Sequence, residues 1–214
     1  MNISIVYQSK DWLIINKPAG LSVHNDPGAD VCSFLQQQLS SKIYPVHRLD
    51  KNTSGLMICA LRNERVVSLQ RSLQTGEKTY HAIVRGQISE EKGVWKTSIS
   101  DRAEGRRNPR GKSQDRKEAE TSYSVIKKND YLSMIACTLH TGRQHQIRKH
   151  CVLGRHEIIG DMRYGERKYQ EKLRARYKFE HMALHARELV LNIAGKEKRF
   201  HAPIPLEWKV FELC

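Results

Sequence analysis

Acid is scarce in this chain. Against 37 Lys and Arg stand 23 Asp and Glu, so the formal net charge is +14 with histidine neutral. A polyanion is the natural partner of such a surface, because cations that neutralise phosphates release counterions. The plainer alternative is that the excess charge only keeps a small protein in solution. Paired cysteines are also lacking. Cys32, Cys59, Cys137, Cys151 and Cys214 are odd in number and form no C-x-x-C pair, which excludes a disulfide framework and a cysteine-based zinc site and points to a reducing compartment. Long apolar runs are missing too. Lys10 and Asp11 break the N-terminal "MNISIVYQSKDWLIINKPAG" before it reaches signal-sequence length, and no stretch is long enough to span a bilayer. A cytoplasmic protein without a membrane partner is expected. There is no internal repeat and no linker between two cores, so residues 1–214 are expected to form one domain, with 39% hydrophobic residues to build its core.

What is present reads as α+β. Residues 3–7, 12–16, 56–61, 79–84, 120–126, 131–139, 188–193 and 198–202 are β-rich runs. Residues 31–40 and 63–74 read as helices, the second with Val66, Val67, Leu69 and Leu73 near helical spacing. Most strands follow one another with no helix between them, which predicts a mixed, largely antiparallel central sheet with flanking helices. Two stretches look like surface. Residues 101–118, "DRAEGRRNPRGKSQDRKE", predict a long basic loop; residues 166–180 are charged, with Tyr169, Leu173, Tyr177 and Phe179 placed where a helix could bury one side.

Three segments concentrate chemistry. In "VHRLDKNTSGL" (46–56) the turn formers after Asp50 lead into the apolar strand from Leu56, which would hold a carboxylate at the rim of a sheet. An arbitrary Asp in such a turn is usually a backbone cap, and only its company lifts this one. In "HTGRQHQIRKH" (140–150) Thr141 and Gln144 fit a capping box, predicting a helix that starts there. Ile147 and Cys151 would face the core while Arg143, His145, Arg148 and Lys149 present cations or hydrogen-bonding groups near the helix start. A solvated basic helix is the plainer reading, above all for Lys149. His140, His145, His150 and His156 tempt a metal assignment, but spacings of five put successive histidines on different faces, so no metal is expected. In "EKTYHAIVRG" (77–86) a strand would direct Tyr80, Ala82 and Val84 to one face. Tyr80 is then more often a core aromatic than a catalytic group.

Taken in order, "NKPAGLSVH" (16–24), "HRLDKNTSGLMI" (47–58), "KTYHAIVRG" (78–86), "TGRQHQIRKH" (141–150) and "IIGDMRYG" (158–165) resemble the RluA-type family of RNA pseudouridine synthases. The likeness continues through "MALHARELVL" (182–191) and so covers most of the chain. Five separated segments in order are far more specific than any one of them. Two departures stand out. His156 is followed by Glu157 where many members have His-Pro, and the chain leaves no room for the small S4-type RNA-binding domain that some members carry. Grip on the substrate is therefore expected from the catalytic domain itself.

The resemblance implies a mixed sheet with a central cleft, an RNA substrate, either ribosomal RNA or tRNA, and no cofactor. Asp50 falls on the family's catalytic aspartate, Tyr80 on its active-site tyrosine, and Arg148 on the arginine that pairs with the aspartate. RNA contacts are expected from Arg48, His47, Lys51, Arg143, His145 and Lys149, with His47 either orienting the Asp50 turn or serving as a structural histidine. A monomer is expected. A non-catalytic RNA-binding or ribosome-assembly protein would share the charge but gives no reason for Asp50, Tyr80 and Arg148 in these settings. A nucleoside hydrolase would want a second carboxylate; Asp161 is the candidate, although "GDMRYG" reads more naturally as a turn.

Overall fold

The computed structural model describes residues 1–24 and 26–213. Along the chain run β1 (Ser4–Gln8), β2 (Trp12–Lys17), α1 (Val31–Leu39), β3 (Tyr44–Pro45), β4 (Ser54–Ala60), α2 (Val66–Thr75), β5 (Glu77–Arg85), β6 (Lys92–Trp95), β7 (Ile99–Ser100), β8 (Arg116–Lys117), β9 (Thr121–Lys128), β10 (Leu132–Leu139), α3 (Gln146–Leu153), α4 (Arg167–Tyr177), β11 (Leu184–Ile193) and β12 (Lys196–His201). The architecture is α+β with mostly antiparallel pairing, as the succession of strands predicts. Two compact units form, each built from two separate stretches of the chain: Met1–Lys78 with His185–Pro203, and Thr79–Leu184 with Ile204–Cys214. Among the described residues no helix is long and apolar enough to cross a membrane.

In the first unit β1 pairs with β2 and β2 with β4, both antiparallel, while β11 runs parallel to β4 and antiparallel to β12. Every residue of β4, "SGLMICA", is buried, as a strand flanked by neighbours on both edges and covered on both faces requires. Each large aliphatic side chain buried there contributes about 1.5–3 kcal/mol. Gly55 is needed for the parallel pairing. Its φ is +107°, and a Cβ would stand 2.3 Å from the carbonyl oxygen of Ala186, its partner in the ladder. Helix α2 buries Leu69, Ser72 and Leu73. Val67, expected on that apolar face, is 57% exposed, because a position two residues before Leu69 lies about 200° around the helix from the buried stripe of Leu69, Ser72 and Leu73.

The second unit stacks β5, β10, β9 and β6 in an antiparallel ladder. Ala82, Ile83 and Val84 of β5 are all fully buried, so this strand is covered on both faces. Their core continues through Met134, Ile135, Cys137, Ile158, Trp208 and Phe211, and receives Ile147 and Cys151 from α3, the two positions that the four-residue spacing assigned inward. The basic stretch 101–118 is less formless than its composition suggests. Arg116 and Lys117 pair with Ser100 and Ile99, which closes its two ends into a short hairpin.

Candidate active site

Asp50 opens the tight turn that leads into β4. The Thr53 N–H donates to the Asp50 carbonyl at 3.0 Å, and the chain then enters the buried strand at Ser54. Three things hold this turn. The Lys17 side chain, fully buried, places Nζ 2.9 Å from the Pro18 carbonyl oxygen, 2.8 Å from that of Leu21 and 3.1 Å from that of Lys51. All three donors of an ammonium are thereby used, and the "NKPAGL" segment is fastened to the turn at Lys51. Burial lowers Lys17 to about 7, and the Asp50 carboxylate acts in the opposite direction. His47 is the second brace. Its Nε2 accepts the Ile58 N–H at 3.1 Å, next to the Val46 N–H donating to the Ile58 carbonyl, so the ring completes a ladder that the backbone alone would leave short. Burial first and the Lys78 charge second lower it to about 4. His47 is therefore neutral near pH 7 and occupied with β4, the structural alternative. The third brace is the buried Ser54 hydroxyl, 2.8 Å from Nδ1 of His185 on β11. Asp50 itself is half-buried, while Arg48 and Lys51 are exposed, with Lys51 3.9 Å from Asp26.

The second unit carries Arg148 and Tyr80. Helix α3 begins at Gln146, not near Thr141, and the capping box expected of Thr141 and Gln144 does not form. Gln146 takes its place. Its buried amide oxygen accepts from the Thr141 hydroxyl at 2.7 Å and the Arg143 N–H at 3.0 Å, and its nitrogen donates to the Glu120 carbonyl and the Thr121 hydroxyl, each at 2.9 Å. A buried primary amide that satisfies four groups outcompetes the exposed Gln144 for this loop. His145 enters the helix in the left-handed region, φ +57°, with Nδ1 2.9 Å from the hydroxyl of buried Tyr164.

Arg148 is buried and forked onto Asp161, Nε to Oδ2 and Nη2 to Oδ1 both at 2.8 Å. Asp161 also accepts the N–H groups of Arg163 and Tyr164 at 3.0 and 3.1 Å, so it both makes the turn and anchors the guanidinium. Two parallel charge-assisted bonds fix the plane of an arginine better than any single contact. Removing either partner would strand the other charge, a loss of about 3–5 kcal/mol for a buried pair. On the sequence Asp161 reads more naturally as a turn former, and nothing in "GDMRYG" signals its partner thirteen residues upstream.

Lys149 corrects an expectation. It is fully buried, with Nζ 2.8 Å from the carbonyl oxygens of both Ser100 and Arg102. Its ammonium fastens the base of the basic loop and offers no charge at the surface. Arg143 is half-buried, donating to the Glu118 carbonyl at 3.1 Å and lying 3.9 Å from Asp101. Of the histidines considered for a metal, His140 meets the Ser122 hydroxyl, His150 meets Thr121 and Thr97, and His156 meets the Arg85 carbonyl. Tyr80 is half-buried on β5, opposite Cys137 of β10 in the ladder, with its ring against the core.

Residues 11–152 match the family described as RNA pseudouridylate synthase, a span that takes in Asp50, Tyr80 and Arg148, and the chain belongs to that family. It is an enzyme that isomerises uridine in RNA to pseudouridine. Among curated relatives, a tRNA pseudouridine synthase C of Vibrio parahaemolyticus is 32% identical over 208 residues, covering 88% of this chain and 84% of its own. A ribosomal large subunit pseudouridine synthase C of Buchnera aphidicola is 29% identical, covering 95% of this chain and 67% of its own. Among solved structures, human RNA pseudouridylate synthase domain containing 1 superposes with a TM-score of 0.81 at 26% identity, over 98% of this chain and 86% of that one.

Proposed function

We propose that the protein is a tRNA pseudouridine synthase in which Asp50 is the catalytic carboxylate. The reaction breaks the C1′–N1 bond of a uridine, turns the base and joins C1′ to C5; C5 loses a proton and N1 gains one. Electrons balance without a redox partner, and the step that needs help is the charge that develops as the glycosidic bond breaks. A carboxylate held in place meets that need. The observation that carries this reading is how Asp50 is held: its turn is fastened from below by the buried Lys17 ammonium and continues into a strand buried along its whole length. Such bracing is what a reacting group requires, since small displacements of it cost rate steeply.

Tyr80 and Arg148 are proposed to act on the same uridine. Flipping the target base out of its stack costs a few kcal/mol, which contacts in the pocket must offset. Tyr80 supplies a ring face for the uracil. Arg148, oriented by Asp161, supplies a fixed guanidinium. Arg48, Lys51 and Arg143 are proposed to meet phosphates, Lys149 is withdrawn from that role, and the unpaired cysteines suit a cytoplasmic enzyme. tRNA is chosen because the Vibrio relatives carry that name; ribosomal RNA is the second reading, favoured by the Buchnera relative. The test is tritium release from RNA labelled at uridine C5, prepared from a strain lacking the gene and separated into tRNA and ribosomal RNA. Release from the tRNA fraction is expected. Release confined to ribosomal RNA moves the substrate to the second reading, and release from neither rejects the proposed activity on free RNA.

A further inference from the structure

We infer that the outer face of α4 is a docking surface for the sugar-phosphate backbone of the substrate RNA, gripping it through Lys168, Lys172 and Arg176. The inference rests on the RNA-modifying function proposed above and adds a surface that none of the motif segments contains. Helix α4, "RKYQEKLRARY", turns Gln170 fully inward, with Tyr169, Leu173 and Tyr177 half-buried beside it. Lys168, Lys172 and Arg176 are exposed and follow one another at four-residue steps, a row with about 6 Å of rise between members.

For the isolated protein this row is unfavourable. Like charges four apart repel along a helix, and Lys168, directly after Arg167, puts cations where the helix dipole is already positive, with no acid in the first turn. The acids nearby are committed elsewhere. Glu157 and Glu166 both turn to Arg85, Glu171 pairs with Arg167, and Glu180 with Arg174. Among the described residues Lys168, Lys172 and Arg176 enter no ion pair. Arg176 has the face of the Tyr177 ring, 5.5 Å away; a row of cations left without acids is matched by a row of phosphates, and an enzyme of RNA has such a partner.

What ties the row to the chemistry is Gln170. Its Oε1 accepts the Gly160 N–H at 2.6 Å and its Nε2 donates to the Ile158 carbonyl at 3.1 Å, clamping the backbone immediately before Asp161. Gly160, with φ +80°, has no room for a side chain against the His181 carbonyl, so this turn and the segment after α4 are packed tightly. RNA held on α4 is thus held in the frame of the turn that orients Arg148.

The experiment compares wild type with the triple variant Lys168→Gln, Lys172→Gln, Arg176→Gln and with the charge-preserving triple Lys168→Arg, Lys172→Arg, Arg176→Lys, using unfractionated tRNA from a strain lacking the gene. Binding is measured from about 50 to about 300 mM salt, where each lost phosphate contact lowers the slope of log K against log salt by about 0.7–0.9. The neutral triple should lower that slope by about 2, raise KM and leave kcat near wild type, with melting temperature unchanged or higher because the repulsion is gone. The charge-preserving triple should keep the wild-type slope. A neutral triple with unchanged slope and KM overturns the inference, including the case in which the row serves an acidic protein instead. Absence of turnover in wild type would count against the proposed function, while the binding slopes would still decide the role of α4.

Discussion

Lys17 and Lys149 lie in different units and use one device: a fully buried ammonium whose donors are taken up by backbone carbonyls. Each is a fastener, and the loop it fastens decides what it is for. Lys17 joins the "NKPAGL" segment to the turn that opens with Asp50, so its consequence is proposed to lie in the chemistry. Lys149 joins α3 to the base of the basic loop 101–118, so its consequence is proposed to lie in whatever hold that loop has on RNA. Their electrostatic settings differ as well. Burial is the leading influence on both and lowers both, but Lys17 has Asp50 beside it, whereas Lys149 has Glu104 and Asp101 on one side of the balance and Arg148 on the other. A buried cation in a basic protein is thus no measure of its surface charge.

Replacing Lys17 should show the larger effect. Lys17→Met leaves three carbonyls without their donor and frees the Asp50 turn, and the single-turnover rate should fall by about a hundredfold or more, the scale of a misplaced catalytic group. Circular dichroism and a melting curve on the same sample separate this from unfolding; a folded variant with wild-type rate would remove Lys17 from the account. Lys149→Met should act on binding instead. With the loop base loosened, affinity for RNA should drop about tenfold while the rate on saturating RNA stays within about threefold, and the opposite split would abolish the contrast between the two fasteners.

The pH dependence sharpens the comparison further. A lysine whose pKa is lowered to about 7 on folding binds a proton in the unfolded chain, but not in the native one, between that value and 10.5. Stability from this group is fully present above 10.5 and is lost as pH falls toward 7, with a slope of at most about 1.4 kcal/mol per pH unit. Urea unfolding at several pH values should show this component in wild type and its disappearance in Lys17→Met. The smallest effect belongs to His47. Lowered from 6.5 to about 4, it contributes stability above 6.5 that is lost as pH falls through 4; in His47→Gln that acid limb should be shallower, and an unchanged limb would mean that the ring is not held neutral by its burial.

Much of the fold could be read directly from residue patterns. The alternating and β-branched runs marked the main strands, the turn formers after Asp50 marked a real turn, and the spacing of Ile147 and Cys151 marked the inner face of α3. These are local signals, and local physics sets them. What was illegible depends on contacts across long separations. Lys17 is fastened to a carbonyl 34 residues away, Lys149 to one 49 residues away, and Gln146 to Glu120 and Thr121. The capping box at Thr141 failed for the same reason, since the amide that takes the Thr141 hydroxyl is chosen by what else it can reach. The two-residue pairing of β7 with β8 is too short to leave a pattern at all.

The most direct test of the central claim is the single-turnover rate of Asp50→Asn on tRNA, read beside its RNA dissociation constant. The account predicts that conversion to pseudouridine is lost by several orders of magnitude while the dissociation constant stays within about twofold, because the amide keeps the shape of the turn and removes only the carboxylate. A folded Asp50→Asn protein that converts uridine at the wild-type rate would contradict it.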